Sequence, residues 1–180
     1  QDIDDWSALS SQSSLEKLHI MNCDFPDISI VDSLVNLESL WLVACDLDDI
    51  SSIKNSKKLK DLDLNSNGIT DIETISYLEN LEELWLFRNK DLSNIEHIKT
   101  LKKLRKLSIA HTNVHDISVL KELKKIEYLE IDDTEIEDYS VLFELPNLKG
   151  LRISEGKLTK EELNRLKDKG VSVEIYNTKD

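Results

Sequence analysis

Four histidines, two cysteines and thirty-six carboxylates are the side chains of this 180-residue sequence that could carry chemistry. A hydrolase of the nucleophile-and-base kind needs a hydroxyl or thiol beside a histidine that a third group orients. No such arrangement surrounds His19 or His111, and His97 and His115 fall in turns. Cys23 and Cys45 stand 22 residues apart, which suits structural thiols, with a disulfide or a metal as the alternatives. Glu130, Asp132, Asp133 and Glu155, partly offset by Arg152, offer oxygen ligands to a basic segment or to calcium, although no calcium-loop motif accompanies them. Gly-rich phosphate loops, metal-ligand spacings and triad spacings are missing from the sequence, so it reads as a non-enzyme without metal or cofactor. Trp41, Trp85 and Phe87 are the stronger signal, because large apolar rings are seldom left on a surface without a use.

The elements that must position these residues follow from an internal repeat. The pattern L-x-x-L-x-L recurs at Leu15-Leu18-Ile20, Leu37-Leu40-Leu42, Leu59-Leu62-Leu64 and Leu81-Leu84-Leu86. It continues at Leu104-Leu107-Ile109, Ile126-Leu129-Ile131 and Leu148-Leu151-Ile153. Successive starts differ by 22, 22, 22, 23, 22 and 22 residues. Adding 22 to Leu151 and Ile153 reaches Val173 and Ile175, while Ile3, Trp6 and Leu9 lie 66 residues before Ile69, Ile72 and Ile75. Within each unit the last two apolar positions are two apart, the period of a strand with one buried face. The remainder, such as Ile69, Ile72, Ile75 and Leu78, fall three apart, which suits a 3₁₀-like return. One unit cannot close a core, but stacked units bury a continuous one.

Three residues past each strand stands a small or polar residue: Cys23, Cys45, Asn67, Asn89, Thr112, Thr134 and Gly156. Turned inward, these form a ladder that satisfies the backbone of the turn. Asp5, Asp27, Asp49, Asp71, Asn94, Asp116 and Asp138 precede the next apolar residue and are expected to be N-caps of the return turns. They would let the chain turn with 4 Gly and 2 Pro. At Asn89-Lys90-Asp91-Leu92 one residue is added relative to Asn67-Gly68-Ile69, which predicts a local bulge.

The L-x-x-L-x-L-x-x-N/C-x-L core is similar to the leucine-rich repeat. The 22-residue period and the D-I step of ITDIETISYLENLEEL, residues 69–84, resemble bacterial internalins. The leucine-rich regulatory subunit of protein phosphatase 1 is similar in period but is favoured less by the D-I step. The resemblance implies an α/β fold: a right-handed leucine-rich-repeat solenoid with a parallel concave sheet of about eight short strands and 3₁₀ or short helical turns on the convex side. It also implies a bacterial secreted or cell-surface setting, with a cytoplasmic one left open. No helical cap of the internalin kind precedes the repeats and no wall-anchoring signal follows them.

The expected organisation is one domain over 1–180: a partial repeat at 1–12, seven repeats over 13–157, and a helix-and-strand cap at 158–180. Thr159 with Glu162 makes a capping box for that helix, and Gly170 suits its end. A strand at 17–21 with a bare edge predicts an upstream domain or further repeats. The charge of −13 argues against nucleic acid and anionic membranes, and no apolar run of spanning length occurs. Lys57, Lys58, Lys60, Lys102, Lys103, Arg105, Lys124 and Lys125 gather where the return path meets the strands and read as charge balance.

Outward strand positions form columns about 4.8 Å apart from strand to strand. The central column is His19, Trp41, Asp63, Trp85, Ser108, Glu130 and Arg152; the one after it is Met21, Val43, Asn65, Phe87, Ala110, Asp132 and Ser154. The column before runs through Tyr128 to Gly150, and a fourth at the strand ends holds Asn22, Ala44, Ser66, Arg88, His111, Asp133 and Glu155. A protein ligand on this face would meet Met21, Val43, Trp41, Trp85 and Phe87 as apolar anchors. His19, Asp63, Tyr128, Glu130, Asp132 and Asp133 would orient it. A spacer within a larger surface protein is the alternative, as is a sugar seated on the aromatics, or rings that merely lie flat on their neighbours.

Overall fold

The computed structural model describes residues 7–23 and 28–177. The expectations for Ile3, Asp5, Trp6 and Asp27 lie outside them. Eight strands form one sheet in sequence order, all parallel. They are β1 Lys17–Met21, β2 Ser39–Val43, β3 Asp61–Asp63, β4 Glu83–Trp85, β5 Lys106–Ser108, β6 Tyr128–Glu130, β7 Gly150–Ser154 and β8 Ser172–Tyr176. Leu18, Leu40, Leu62, Leu84, Leu107, Leu129, Leu151 and Val173 stand side by side in register. From Leu40 to Leu151 this row is buried, while its two ends are partly covered. An in-register row of leucines is what the stack exists to bury, since each strand alone would expose both flanks of its side chain.

The return path is a series of 3₁₀ turns, among them Ser51–Asn55, Glu73–Tyr77, Glu96–Thr100 and Ser118–Glu122. Their inward residues Ile53, Ile75, Ile98 and Leu120 are fully buried against the strand row. The Asp and Asn residues before these turns act one position earlier than N-caps. Ile50, Ile72, Ile95, Ile117 and Tyr139 occupy the cap position, with no side-chain cap. Asp49, Asp71, Asn94, Asp116 and Asp138 instead accept from the N–H two residues on, at Ser51, Glu73, Glu96, Ser118 and Ser140, over 2.7–2.8 Å. The turn is thus started by an Asx motif, which leaves the cap position free for a buried apolar residue.

The inner ladder is present but unequal along the molecule. Asn67 Oδ1 accepts from Cys45 N and Leu47 N, and its Nδ2 donates to Leu42 O in the preceding repeat. Asn89, fully buried, accepts from Ile69 N and donates to Leu64 O and Leu86 O. Thr112 and Thr134 are shorter and donate within their own repeat, to Ile109 O and Ile131 O. Cys45 is buried with Sγ 3.4 Å from Val43 O and 3.7 Å from Ile20 O; Cys23 is partly buried. The extra residue after Asn89 is taken up by a turn closed by Leu92 N donating to Asn89 O at 3.1 Å, so Leu92 still reaches the core.

The fourth column is not an outward strand row. Asn22, Ala44, Ser66, Arg88, His111 and Asp133 all adopt left-handed backbone, φ 52–58°, and end the strand by swinging the chain toward the ladder residue. In the last repeat β7 runs on to Ser154, and the left-handed residue is Gly156 rather than Glu155. Gly156 therefore turns the chain instead of joining the ladder.

A helix and the strand β8 follow β7. Helix α1, Lys160–Asp168, starts at a Thr159–Glu162 capping box, and Gly170 follows it with φ 81°. Leu166 and Val171 are buried beneath it. The basic edge is held down within the molecule: Lys60 pairs with Glu38, Lys102 with Glu122, and Arg105 and Lys149 share Glu127. Lys58 and Lys103 donate to Asn36 and Asn80, amides that themselves donate to Ser13 O and Lys57 O one repeat back.

Candidate functional site

The concave face divides into two halves of different chemistry. In the first, register places His19, Trp41, Asp63 and Trp85 on four successive strands. The imidazole of His19 stacks on the Trp41 indole with centroids 4.1 Å apart and planes 8° from parallel. Trp41 Nε1 donates to Asp61 Oδ2 at 2.6 Å. Both indoles, of Trp41 and Trp85, are partly exposed, as are Val43 and Phe87, and Met21 is 55% exposed. The flat-lying alternative thus holds for one face of Trp41, against His19. Among the described residues the Trp85 indole has no hydrogen bond or ring contact of this kind.

A polar chain that the sequence did not disclose runs underneath. His19 Nε2 lies 2.8 Å from Ser39 Oγ, and that hydroxyl donates to Asp61 Oδ2 at 2.8 Å. The residue types are those of a catalytic triad but the order is not. The hydroxyl gives its proton to the carboxylate, and the histidine sits at the outer end, so nothing draws a proton from Ser39 toward an imidazole. The chain positions Trp41 instead. Only the 22-residue offset of Ser39 from Asp61 could have signalled it. Burial pushes the Asp63 carboxyl above its usual range, and the neighbouring Asp61 adds to the rise; a hydrogen bond from Asn65 N and the nearby His19 oppose it.

The second half is closed on itself, which corrects the expected acidic patch. Asp132 is fully buried and meets Arg152 Nη2 at 3.0 Å. His111 reaches Asp133 at 2.7 Å and Asp132 at 3.6 Å. Glu130 accepts from Ser108 Oγ at 2.9 Å and lies 3.9 Å from Arg152. Phe87 and Tyr176 flank the His111 ring edge-on at 4.9 and 5.4 Å, and the Arg152 guanidinium lies over Tyr176. Ser108 and Ala110 are fully buried too. With strands about 4.8 Å apart, a large side chain covers a small neighbour, which alternation along one strand does not reveal. Asp132 and Glu130 are thereby committed internally, and Asp133 remains exposed beside His111. Among the described residues no group of three His, Cys, Asp or Glu side chains is arranged for a metal ion. Tyr128 is 47% exposed, and its ring lies over Gly150, where a Cβ would fall 2.7 Å from Cδ1.

The sequence profile of the family described as Leucine Rich repeats (2 copies) matches residues 57–100. No curated protein matches the chain in sequence. Among solved structures, an internalin (inlF) from Listeria monocytogenes superposes with a TM-score of 0.84 at 24% identity, over 99% of this chain and 54% of that one. The chain thus spans about half the length of that relative. An internalin C2 (inlC2) from the same species gives a TM-score of 0.66 at 24% identity, over 91% of this chain and 82% of that one. Among the described residues no helix is long and apolar enough to cross a membrane. With its 22-residue period, its eight-stranded parallel sheet and these matches, the chain has a leucine-rich-repeat fold similar to that of these internalins, with the repeats matched in sequence over residues 57–100.

Proposed function

We propose that this domain is a non-catalytic module that binds a protein through its concave face. The observation that carries the reading is the pair of part-exposed indoles, Trp41 and Trp85, held two strands apart on a rigid parallel sheet with Asp63 between them. Tryptophan at the centre of an interface is a frequent energetic anchor, with truncation costing about 2–4 kcal/mol. Here Trp41 is fixed before any partner arrives, by the His19 stack and the Asp61 hydrogen bond, so little side-chain entropy remains to be lost on binding. Met21, Val43 and Phe87 extend the apolar area, and Tyr128 on β6 adds an exposed ring at the edge of the half closed by Arg152. A setting at the bacterial surface or in secretion agrees with this use.

The test compares capture from a native extract by the unmodified domain and by a Trp41→Ala/Trp85→Ala variant whose fold is checked by circular dichroism. The expected outcome is a partner retained by the unmodified domain at micromolar affinity and weakened at least a hundredfold in the variant. Equal retention would sink the concave-face reading, and no retained partner would leave the spacer role as the better account.

A further inference from the structure

The two halves of the concave face partner their carboxylates differently. In the closed half an arginine of the chain itself lies 5.1 Å over an aromatic ring, Tyr176, while it pairs with a carboxylate, Asp132, at 3.0 Å. In the open half the rings of Trp41 and Trp85 and the carboxylates of Asp61 and Asp63 are present without an arginine between them. Among the described residues neither Asp61 nor Asp63 has a Lys, Arg or His within ion-pair distance, whereas Glu83 has Lys106 at 2.8 Å and Glu130 has Arg152. Asp61 Oδ1 is buried with no hydrogen-bond partner.

We propose that the slot between Trp41 and Trp85, floored by Asp63 and backed by Asp61, receives an arginine side chain of the protein partner. This rests on the protein-binding reading of the face. His19 covers the Trp41 ring from the β1 side, so the opposite face of the indole is the one toward β3, where Asp63 stands. Trp41 and Trp85 start about 10 Å apart, two strand spacings. A guanidinium midway sits about 5 Å from each ring, inside the roughly 6 Å at which a cation is held by an aromatic face. Its planar shape suits stacking and a two-point contact with one carboxylate, where an ammonium would be a point charge. The formal charge of −13 draws a cationic segment toward the molecule, but the specificity lies in the slot.

The indole N–H signals of Trp41 and Trp85, assigned by Trp→Phe variants, provide the readout. The probes are a blocked Gly-Gly-Arg-Gly-Gly peptide, its citrulline counterpart, which keeps the shape without the charge, and a cello-oligosaccharide. The arginine peptide is expected to shift both indole signals, with citrulline and the Asp63→Asn protein each weakening it about tenfold. Asp63→Asn keeps an oxygen for Asn65 N, so the fold is retained and is confirmed by the unchanged remainder of the spectrum. Equal binding of citrulline, indifference to Asp63→Asn, or shifts with the oligosaccharide alone would each overturn the proposal. The two readings fail separately. A captured protein that depends on the tryptophans but not on Asp63 overturns the arginine slot and leaves the binding face standing. An arginine peptide that binds the slot when no protein is captured supports the slot and counts against the face as a protein site.

Discussion

Asn89 shows how much one buried amide does in a repeat of this kind. It is sealed from solvent and serves Ile69 N, Leu64 O and Leu86 O, groups drawn from two successive repeats. Replacing it by alanine leaves Ile69 N without a partner and takes one of two donors from each of Leu64 O and Leu86 O, so Asn89→Ala is expected to cost about 2–4 kcal/mol in urea unfolding. Thr112→Ala removes one donor to Ile109 O and should cost about 1 kcal/mol. Asp63 works in the other direction. Burial and Asp61 raise its carboxyl above the usual range, so its ionised form is opposed by folding and its stability contribution worsens as pH rises through the ordinary carboxylate range. Asp63→Asn is therefore expected to raise the melting temperature at neutral pH, a trade of stability for a charge held ready. Its place between the tryptophans was legible, because repeat register alone puts Trp41, Asp63 and Trp85 side by side. The Ser39–Asp61 support beneath Trp41 was not, since it depends on side-chain reach across strands. Nor was the burial of Asp132, which follows from Arg152 and His111 folding over it.

At the scale of the element, period decides the layout and backbone conformation decides the details. The 22-residue spacing predicts the strand row and the 3₁₀ returns, and both are found. Strand ends were misread as an outward row because the turn out of the strand has no sequence signal of its own: six successive repeats end the strand with a left-handed residue. Such a conformation costs a Cβ-bearing residue about 1–2 kcal/mol, and a short polar side chain at Asn22, Ser66 or Asp133 carries it more easily than Ala44 or Arg88. Ala44→Gly removes the steric cost but loosens the unfolded chain. The expected net effect is a gain of up to about 1 kcal/mol, whereas Ala44→Val should lose more than 1 kcal/mol. Denaturant midpoints of the two variants check both signs. A similar economy operates at the return turns, where the Asx residue does the turning from outside the cap and lets Ile50, Ile72, Ile95 and Ile117 stay in the core.

For the whole molecule, each repeat touches chiefly its neighbours, so coupling between repeats sets how the stack fails. Glu127 is a test of that coupling. It accepts from Arg105 at 2.9 Å and from Lys149 at 2.7 Å, joining three successive repeats along the return edge. Those two hydrogen bonds, to Arg105 and then Lys149, hold its carboxyl down from the ordinary 4.5 to about 2. A carboxyl whose folded value is depressed contributes stability that is complete above its unfolded value and is lost as pH falls toward the folded one. The Glu127 link is thus in force above about pH 4.5 and disappears between there and about pH 2. The repeats on either side of Glu127, β5 to β7, should lose amide protection across that window before the Asn67–Asn89 region does, because the latter is tied by uncharged amides. Hydrogen exchange followed by position at pH 7 and pH 3 measures this. Glu127→Gln should bring the C-terminal repeats at pH 7 toward the protection of the parent at pH 3, and should itself change less than the parent between the two, since Asp116 and Asp138 also give up their turn hydrogen bonds in acid. A parent that loses protection evenly along the stack would show instead that the apolar row alone couples the repeats and that the charged edge adds nothing to it.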